Sequence, residues 1–201
     1  MTRPLDEILA ESSSRHRHLC PRQVLGTRMS LWAGEILGLD LPRRDKKLLV
    51  IAETDGCMLD GVIAATGCHA GGRTLRIRDF GKVAATFFDT RSERAIRVAP
   101  CRESRSLAQV YAPGARNPWE AMLLGYQVMP ADKLFRVQAV RVTTPLVELV
   151  SRPGKKTECD VCQEEIINGR EVARAGLTLC CSCAGERYYK LAAEGLAEVQ
   201  I

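Results

Sequence analysis

Nine cysteines in 201 residues are the side chains here with the most chemistry to offer. Cys159, Cys162, Cys180, Cys181 and Cys183 crowd the last quarter of the chain. Cys159 and Cys162 are spaced C-x2-C, and so are Cys180 and Cys183. That pattern is the spacing of a structural zinc site. Tetrahedral zinc takes four thiolates at about 2.3 Å, and each short knuckle brings two sulfurs onto one ion. The expected ligands are Cys159, Cys162, Cys180 and Cys183. Cys181 could replace a neighbour, but with poorer spacing. The segment needs such a staple, because below about 40 residues a chain rarely holds a core unaided, and bound metal supplies folding energy. A closed four-thiolate site is structural and implies no catalysis.

A second group lies near the start. His16 and His18 precede Cys20-Pro21, and in an extended segment His16, His18 and Cys20 share one face. Pro21 biases Cys20 away from helical geometry and sets it at the mouth of the next helix, where free amides and the helix dipole favour a thiolate. Cys57 follows Thr54 and Asp55, either of which can cap a helix, so it too falls near a helix start. Cys68 closes that element. Gly67, Gly71 and Gly72 form a loop a ligand could approach closely, and Arg73 after it could hold an anion or cofactor. The candidate core metal set is therefore His16, His18, Cys20, Cys57 and Cys68. Cys20 and Cys57 are the candidate nucleophiles, and Asp60, with Asp55, can orient a ligand or move a proton. The plainer alternative is that each cysteine is a small buried apolar residue.

The elements that must position these groups alternate between helix and strand. Helices are expected over Leu5–Ser12, from Pro21 to Gly38 with the stripe Leu25, Met29, Trp32 and Ile36, and over Leu59–Thr66. Pro118–Val128 is another, capped by Asn117. Lys47–Glu53, Ala95–Ala99 and Leu134–Val142 read as strands. Thr74–Asp79 and Val83–Asp89 read as a hairpin joined at Phe80-Gly81-Lys82, which argues for α+β over a fully parallel sheet. Ser151–Thr157, with its Pro-Gly pair, reads as a linker between a core domain over 1–150 and a four-cysteine domain over 158–201. In the latter, Glu171–Ala175 and Leu177–Leu179 suggest a small hairpin and Ala184–Val199 a helix, the treble-clef order.

Composition is ordinary for a globular protein: 46% apolar and 26% charged residues. The formal charge of +5 is mild. No apolar run approaches the roughly 18 residues of a membrane span, and the first residues lack a secretory apolar core. A cytoplasmic chain is expected, and with it free thiols in preference to disulfides.

The ordered set His16-x-His18-x-Cys20-Pro21, Glu53…Asp55-x-Cys57-x-x-Asp60, Thr66-Gly67-Cys68 and Asp79-x-Gly81-Lys82-x-Ala84, ending in a four-cysteine finger, resembles the FmdE family, named for formylmethanofuran dehydrogenase. The resemblance implies an α+β core followed by a treble-clef zinc finger, commonly as an intertwined dimer. It implicates His18, Cys20, Cys57 and Cys68 in an active or metal-binding pocket, with His16 beside them. The chain departs from the family pattern in places. Arg17 and Arg22 replace glycines and make the mouth of the pocket bulkier and more basic. His69-Ala70-Gly71-Gly72-Arg73 stands where the family favours Thr and a Gly-Lys pair, and His69 could be an added ligand. Gln163 occupies a position where glycine is common.

The expected function is a metal-binding protein of this type. Zinc would sit in the finger, and a second transition metal, not identified by the sequence, in the core. A homodimer and an accessory place beside a molybdenum or tungsten enzyme pathway are the expected associations. One alternative is a thiol-dependent redox or nucleophilic enzyme. The other is a nucleic-acid-binding regulator, motivated by the finger and by Arg91, Arg94, Arg97, Arg102 and Arg105. The chain lacks the aromatic series that stacks bases, so nucleic acid is not the favoured partner.

Overall fold

The computed structural model describes residues 3–16, 18–149 and 154–190. The chain divides into two compact units, Met1–Leu149 and Val150–Ile201. The first opens with helix α1 (Leu5–Ser13), α2 (Pro21–Leu37), strand β1 (Leu48–Ala52), α3 (Met58–Thr66) and β2 (Leu75–Ile77). It continues with β3 (Ala85–Asp89), β4 (Ala95–Pro100), α4 (Ser104–Tyr111), α5 (Pro118–Val128), α6 (Ala131–Leu134), β5 (Phe135–Val140) and α7 (Leu146–Leu149).

Five strands form one mixed sheet in the order β2-β1-β3-β4-β5. The pair β1–β2 is parallel and the others are antiparallel. Val50 lies opposite Phe87, and Phe87 opposite Ile96, so a row of large apolar side chains crosses one face. Onto this core pack Val24, Leu25, Met29 and Ala33 of α2. Trp32 and Ile36 sit at its edge, with the Trp32 ring stacked on Phe135 at 6.1 Å. Pro21 starts α2, and Gly38, with φ of 68°, closes it in the left-handed region.

The expected hairpin of Thr74–Asp79 with Val83–Asp89 does not form. β2 and β3 flank β1 on opposite sides. Phe80-Gly81-Lys82 turns as read, but the Phe80 and Lys82 amides both donate to the Glu53 carbonyl, each at 3.0 Å, and not across a β2–β3 ladder. The hairpin is instead β3–β4. Helix α4 is an addition to the elements read from the sequence.

The second unit holds two small hairpins, β6 (Lys156–Glu158) with β7 (Glu165–Ile167), and β8 (Val172–Arg174) with β9 (Leu177–Leu179). Ala175 and Gly176 both take positive φ, 51° and 79°, at the two-residue turn between β8 and β9. Such mirror-image turns match the strand twist. A single helical turn, Ser182–Glu186, follows and is broken at Gly185. The helix expected over Ala184–Val199 is not continued through residues 187–190, and its remainder lies outside the described residues. So do residues 151–153 of the expected linker, while its Lys156 and Thr157 begin β6.

Glu53 leaves the end of β1 and clasps the sheet. Its carboxylate accepts from Arg97 Nε and Nη2 at 2.6 and 2.7 Å. That bidentate bond, with Lys82 nearby, outweighs burial and holds its carboxyl below the ordinary value of 4.5. A carboxyl that titrates lower in the folded chain adds stability above the unfolded pKa and loses it as pH falls through the folded one. Glu53→Gln is expected to cost roughly 1–3 kcal/mol near neutrality. It should also flatten the loss of stability below about pH 4.5, read from urea midpoints taken down to about pH 3. An unchanged acid slope would show that another group titrates.

Candidate functional site

Two helix crossings build the site. A Cβ placed on Gly26 of α2 would lie 2.1 Å from the Met58 carbonyl oxygen, and one on Gly61 of α3 would lie 2.2 Å from the Gln23 carbonyl oxygen. The backbones of α2 and α3 therefore touch near their N-terminal ends, where only glycine fits. This contact sets Cys20, at the N-cap of α2, beside Cys57, at the N-cap of α3. Cys20 is locked in place. Its amide donates to Gln23 Oε1 at 2.8 Å, and the buried Gln23 Nε2 donates to the Ser12 carbonyl at 3.1 Å. The second crossing joins α4 to α5, where a Cβ on Gly125 would meet the Ala108 carbonyl oxygen at 2.5 Å. Arg28 then ties α5 to α2. Its Nη1 donates to the carbonyls of Tyr126, Gln127 and Met129 at 2.7, 3.0 and 2.8 Å, the favourable placement of a cation at a helix C-terminus.

Between these helices lies a cavity of about 560 Å³. Cys20, Cys57 and Cys101 present their residues to it, with Arg22, Arg102 and Arg105, and with Trp119, Met122 and Tyr126 as its larger apolar surfaces. Burial is the main cause that pushes the Cys20 thiol above its ordinary range, and the neighbouring Cys57 adds to it, against the opposing pull of the Gln23 and Arg22 amides. Cys101 is likewise raised, by burial first and then by Glu103.

The other candidates fall at different distances from this cavity. His16 Nε2 lies 2.5 Å from Asp60 Oδ2, and Asp60 is three residues along α3 from Cys57. His18 packs on Trp119, ring centroids 6.4 Å apart. Cys68 is buried in the main core, its Sγ donating to the Leu48 carbonyl at 3.5 Å. It does not line the cavity, and burial raises its pKa. Neither Arg73 nor His69 lines it. His69 is exposed, with Nδ1 3.2 Å from the Gly67 carbonyl, and the Arg73 amide closes a turn onto Ala70. Cys101, Arg102, Arg105 and Tyr126 are cavity residues that sequence reasoning left out of the site. The lone signal was Cys101, a thiol without an assigned role.

In the second unit, sulfur atoms of Cys159, Cys162, Cys180 and Cys183 all lie within 4.8 Å of one another. Among the described residues this is the one set of three or more Cys, His, Asp or Glu ligand atoms gathered so closely. The amide of Cys180 donates to Cys159 Sγ, and that of Cys183 to Cys180 Sγ, each at 3.3 Å. Amides of Cys162 and Cys180 draw the Cys159 thiol down to about 6. The Glu164 amide also pulls Cys162 down, but burial and the adjacent sulfurs prevail and push it to about 12. Four sulfurs at this separation cannot all ionise without a cation, and a tetrahedral divalent metal is the ion that suits four thiolates. Cys181 stands aside, its Sγ directed to the Arg170 carbonyl. Gln163 adopts φ of 61°, the left-handed geometry that makes glycine common there.

A family model described as "FmdE, Molybdenum formylmethanofuran dehydrogenase operon" matches residues 15–136, more than half of the chain. The chain belongs to the FmdE family. Beyond the family model, this FmdE chain is 27% identical, over 216 aligned positions, to a probable S-adenosyl-L-methionine-binding protein of Archaeoglobus fulgidus. The match covers 96% of the chain and 57% of that protein, so the chain spans a little over half the length of this curated relative. Its fold is similar to that of an FmdE-like protein of the tungsten formylmethanofuran dehydrogenase type from Syntrophus aciditrophicus. The TM-score is 0.61 at 19% identity, over 92% of this chain and 95% of the other. Mixed α/β architecture and a terminal four-cysteine cluster thus define this FmdE chain, and among its described residues no helix is long and apolar enough to cross a membrane.

The crossing of α2 and α3 is expected to tolerate no side chain. Gly61→Ala should destabilise the chain by about 1–3 kcal/mol through overpacking, measured by urea unfolding. It should also loosen the pairing of Cys20 with Cys57, measured as faster alkylation of both. Unchanged stability would show that the helices can part freely.

Proposed function

We propose that this FmdE chain is a metal-binding protein with two sites of different kinds. In the second unit, Cys159, Cys162, Cys180 and Cys183 hold a structural zinc ion. In the first, Cys20 and Cys57 hold a transition metal at the cavity, with the His16–Asp60 pair and His18 at its margin. The observation that carries this reading is the meeting of two thiols, from the starts of two different helices, at one cavity. Thiolate with imidazole is a soft donor set, suited to zinc, iron, nickel or copper(I). A metal held by so few protein ligands keeps an open position, where it can polarise a carbonyl or activate water. Asp60 would fix the ring of His16 and hold its proton.

The thiol-nucleophile reading would use the same two cysteines without a metal, and chelation separates the two. The arginines named for nucleic-acid contact do not build one basic face. Arg97 is paired with Glu53, Arg94 donates to the Ile36 carbonyl, and Arg102 and Arg105 turn to the cavity. The family's description and that of the similar structure support service to a molybdenum or tungsten formylmethanofuran dehydrogenase-type pathway, and we further propose that the chain works there as a cytoplasmic homodimer. The name of the Archaeoglobus relative raises S-adenosylmethionine as a ligand. The cavity is roomy enough, but its lining offers three arginines and no carboxylate to a sulfonium.

Elemental analysis of protein purified without added metal tests the assignment. The parent chain should carry two metals. Cys20→Ser or Cys57→Ser should remove one and leave the fold, and Cys162→Ser should remove the other. Metal content unchanged in both core variants would overturn the core site. Alkylation of Cys20 that speeds up only after a chelator is added would separate metal ligation from free thiol chemistry.

Loss of the second metal is expected to melt the second unit, because a stretch this short depends on metal binding for its folding energy. Chelation should therefore abolish amide protection in residues 156–179 and spare that of β1 and α2, measured by hydrogen exchange. Protection that survives chelation in the second unit would show that its core suffices alone.

A further inference from the structure

We infer that the cavity of the first unit binds a small organic anion, a molecule with a carboxylate or phosphate group held by Arg22, Arg102 and Arg105 and an apolar body laid against Trp119 and Met122. This deepens the reading of the cavity as the working site, on which it rests, and names the class of ligand. The charge pattern carries it. Three guanidinium-bearing residues come from two separated stretches of chain, the first turn of α2 and the entry to α4, and meet at one cavity. No Asp or Glu lines it. None of the three arginines forms an ion pair among the described residues. Glu103 turns to a neighbouring groove, with Arg102 and Arg136. Like charges gathered without a counter-charge repel one another, and an anion relieves that repulsion.

The surroundings add to the attraction. The α2 and α4 helices begin at the cavity, so their positive dipole ends lie beside the same space. Guanidinium groups offer the planar pair of donors that matches a carboxylate or phosphate. Tyr126 neighbours Ser104 and Arg105, and both oppose the effect of burial on its hydroxyl. Trp119, 46% exposed, offers a ring to the body of a ligand. A volume of about 560 Å³ falls in the range of small-molecule sites.

The test uses the full chain as purified, with citrate as the carboxylate probe and pyrophosphate as the phosphate probe. Binding is followed by calorimetry and by Trp119 fluorescence at about 20 mM salt, then at physiological salt. The two probes distinguish the sources of the anionic group. At least one should bind with a dissociation constant below about 1 mM, and binding should weaken as salt rises. Arg22→Gln combined with Arg105→Gln should weaken it roughly tenfold or more. Both side chains are exposed, so the variant is expected to fold, checked by its urea midpoint. Failure of both probes to bind, or equal binding by the parent and the double variant, would overturn the inference. Metal content is measured on the same samples. The arginine variant should keep its metals, and Cys57→Ser should keep its anion affinity, so each reading can fail without the other.

Discussion

The contact of two helix backbones at Gly26 and Gly61 is the constraint from which the rest of the first unit follows. Helices normally keep apart by the width of their side chains. Here the Met58 and Gln23 carbonyls occupy the space a Cβ would need. The consequence is positional. Two helices that touch at their first turns bring their N-caps together, and both N-caps are cysteines. The glycines supply no chemistry, yet without them the helices that carry Cys20 and Cys57 would stand further apart. Glu53 completes the frame. It holds the end of β1 through Arg97 and anchors the 80–82 turn through its carbonyl, which fixes the short stretch leading to Cys57.

The same device recurs one layer out. Gly125 lets α5 lie on the backbone of α4 at Ala108, and the cavity forms between the two helix pairs. Its walls differ in character as a result. The α2–α3 side gives Cys20, Cys57 and Arg22, the entry to α4 gives Cys101, Arg102 and Arg105, and α5 supplies an aromatic and thioether surface.

Much of this was legible in the sequence, for reasons that can be named. The four-cysteine cluster was readable because its ligands come as local pairs, and spacing alone tells where the sulfurs point. Helix α2 was readable from Pro21, the Leu25–Ile36 stripe and Gly38. What escaped was non-local. The Phe80-Gly81-Lys82 turn looks like a hairpin corner, but its amides are claimed by the Glu53 carbonyl, and the neighbouring strands part around β1. Cys68 carries the same residue type as Cys20, yet its place at the C-terminal end of α3 sends it into the core, away from the cavity. Arg102 and Arg105 read only as candidates for nucleic-acid contact because α4 went unrecognised. Nothing in the local pattern around Gly26 or Gly61 tells which glycine a second helix will cross.

Helix α5 is held in an uneven way. Arg28 grips its last carbonyls, and Gly125 is pressed onto Ala108 in the same final turns. Among the described residues its opening turn, which carries Trp119, shows no equivalent bond to α2; it is finished locally, by the Asn117 cap and by Arg116 bonded to Glu120. The helix is thus a cantilever, clamped at one end and compliant at the other. An occupant of the cavity would therefore meet α5 at the end that is less firmly tied to α2, where Trp119 stands.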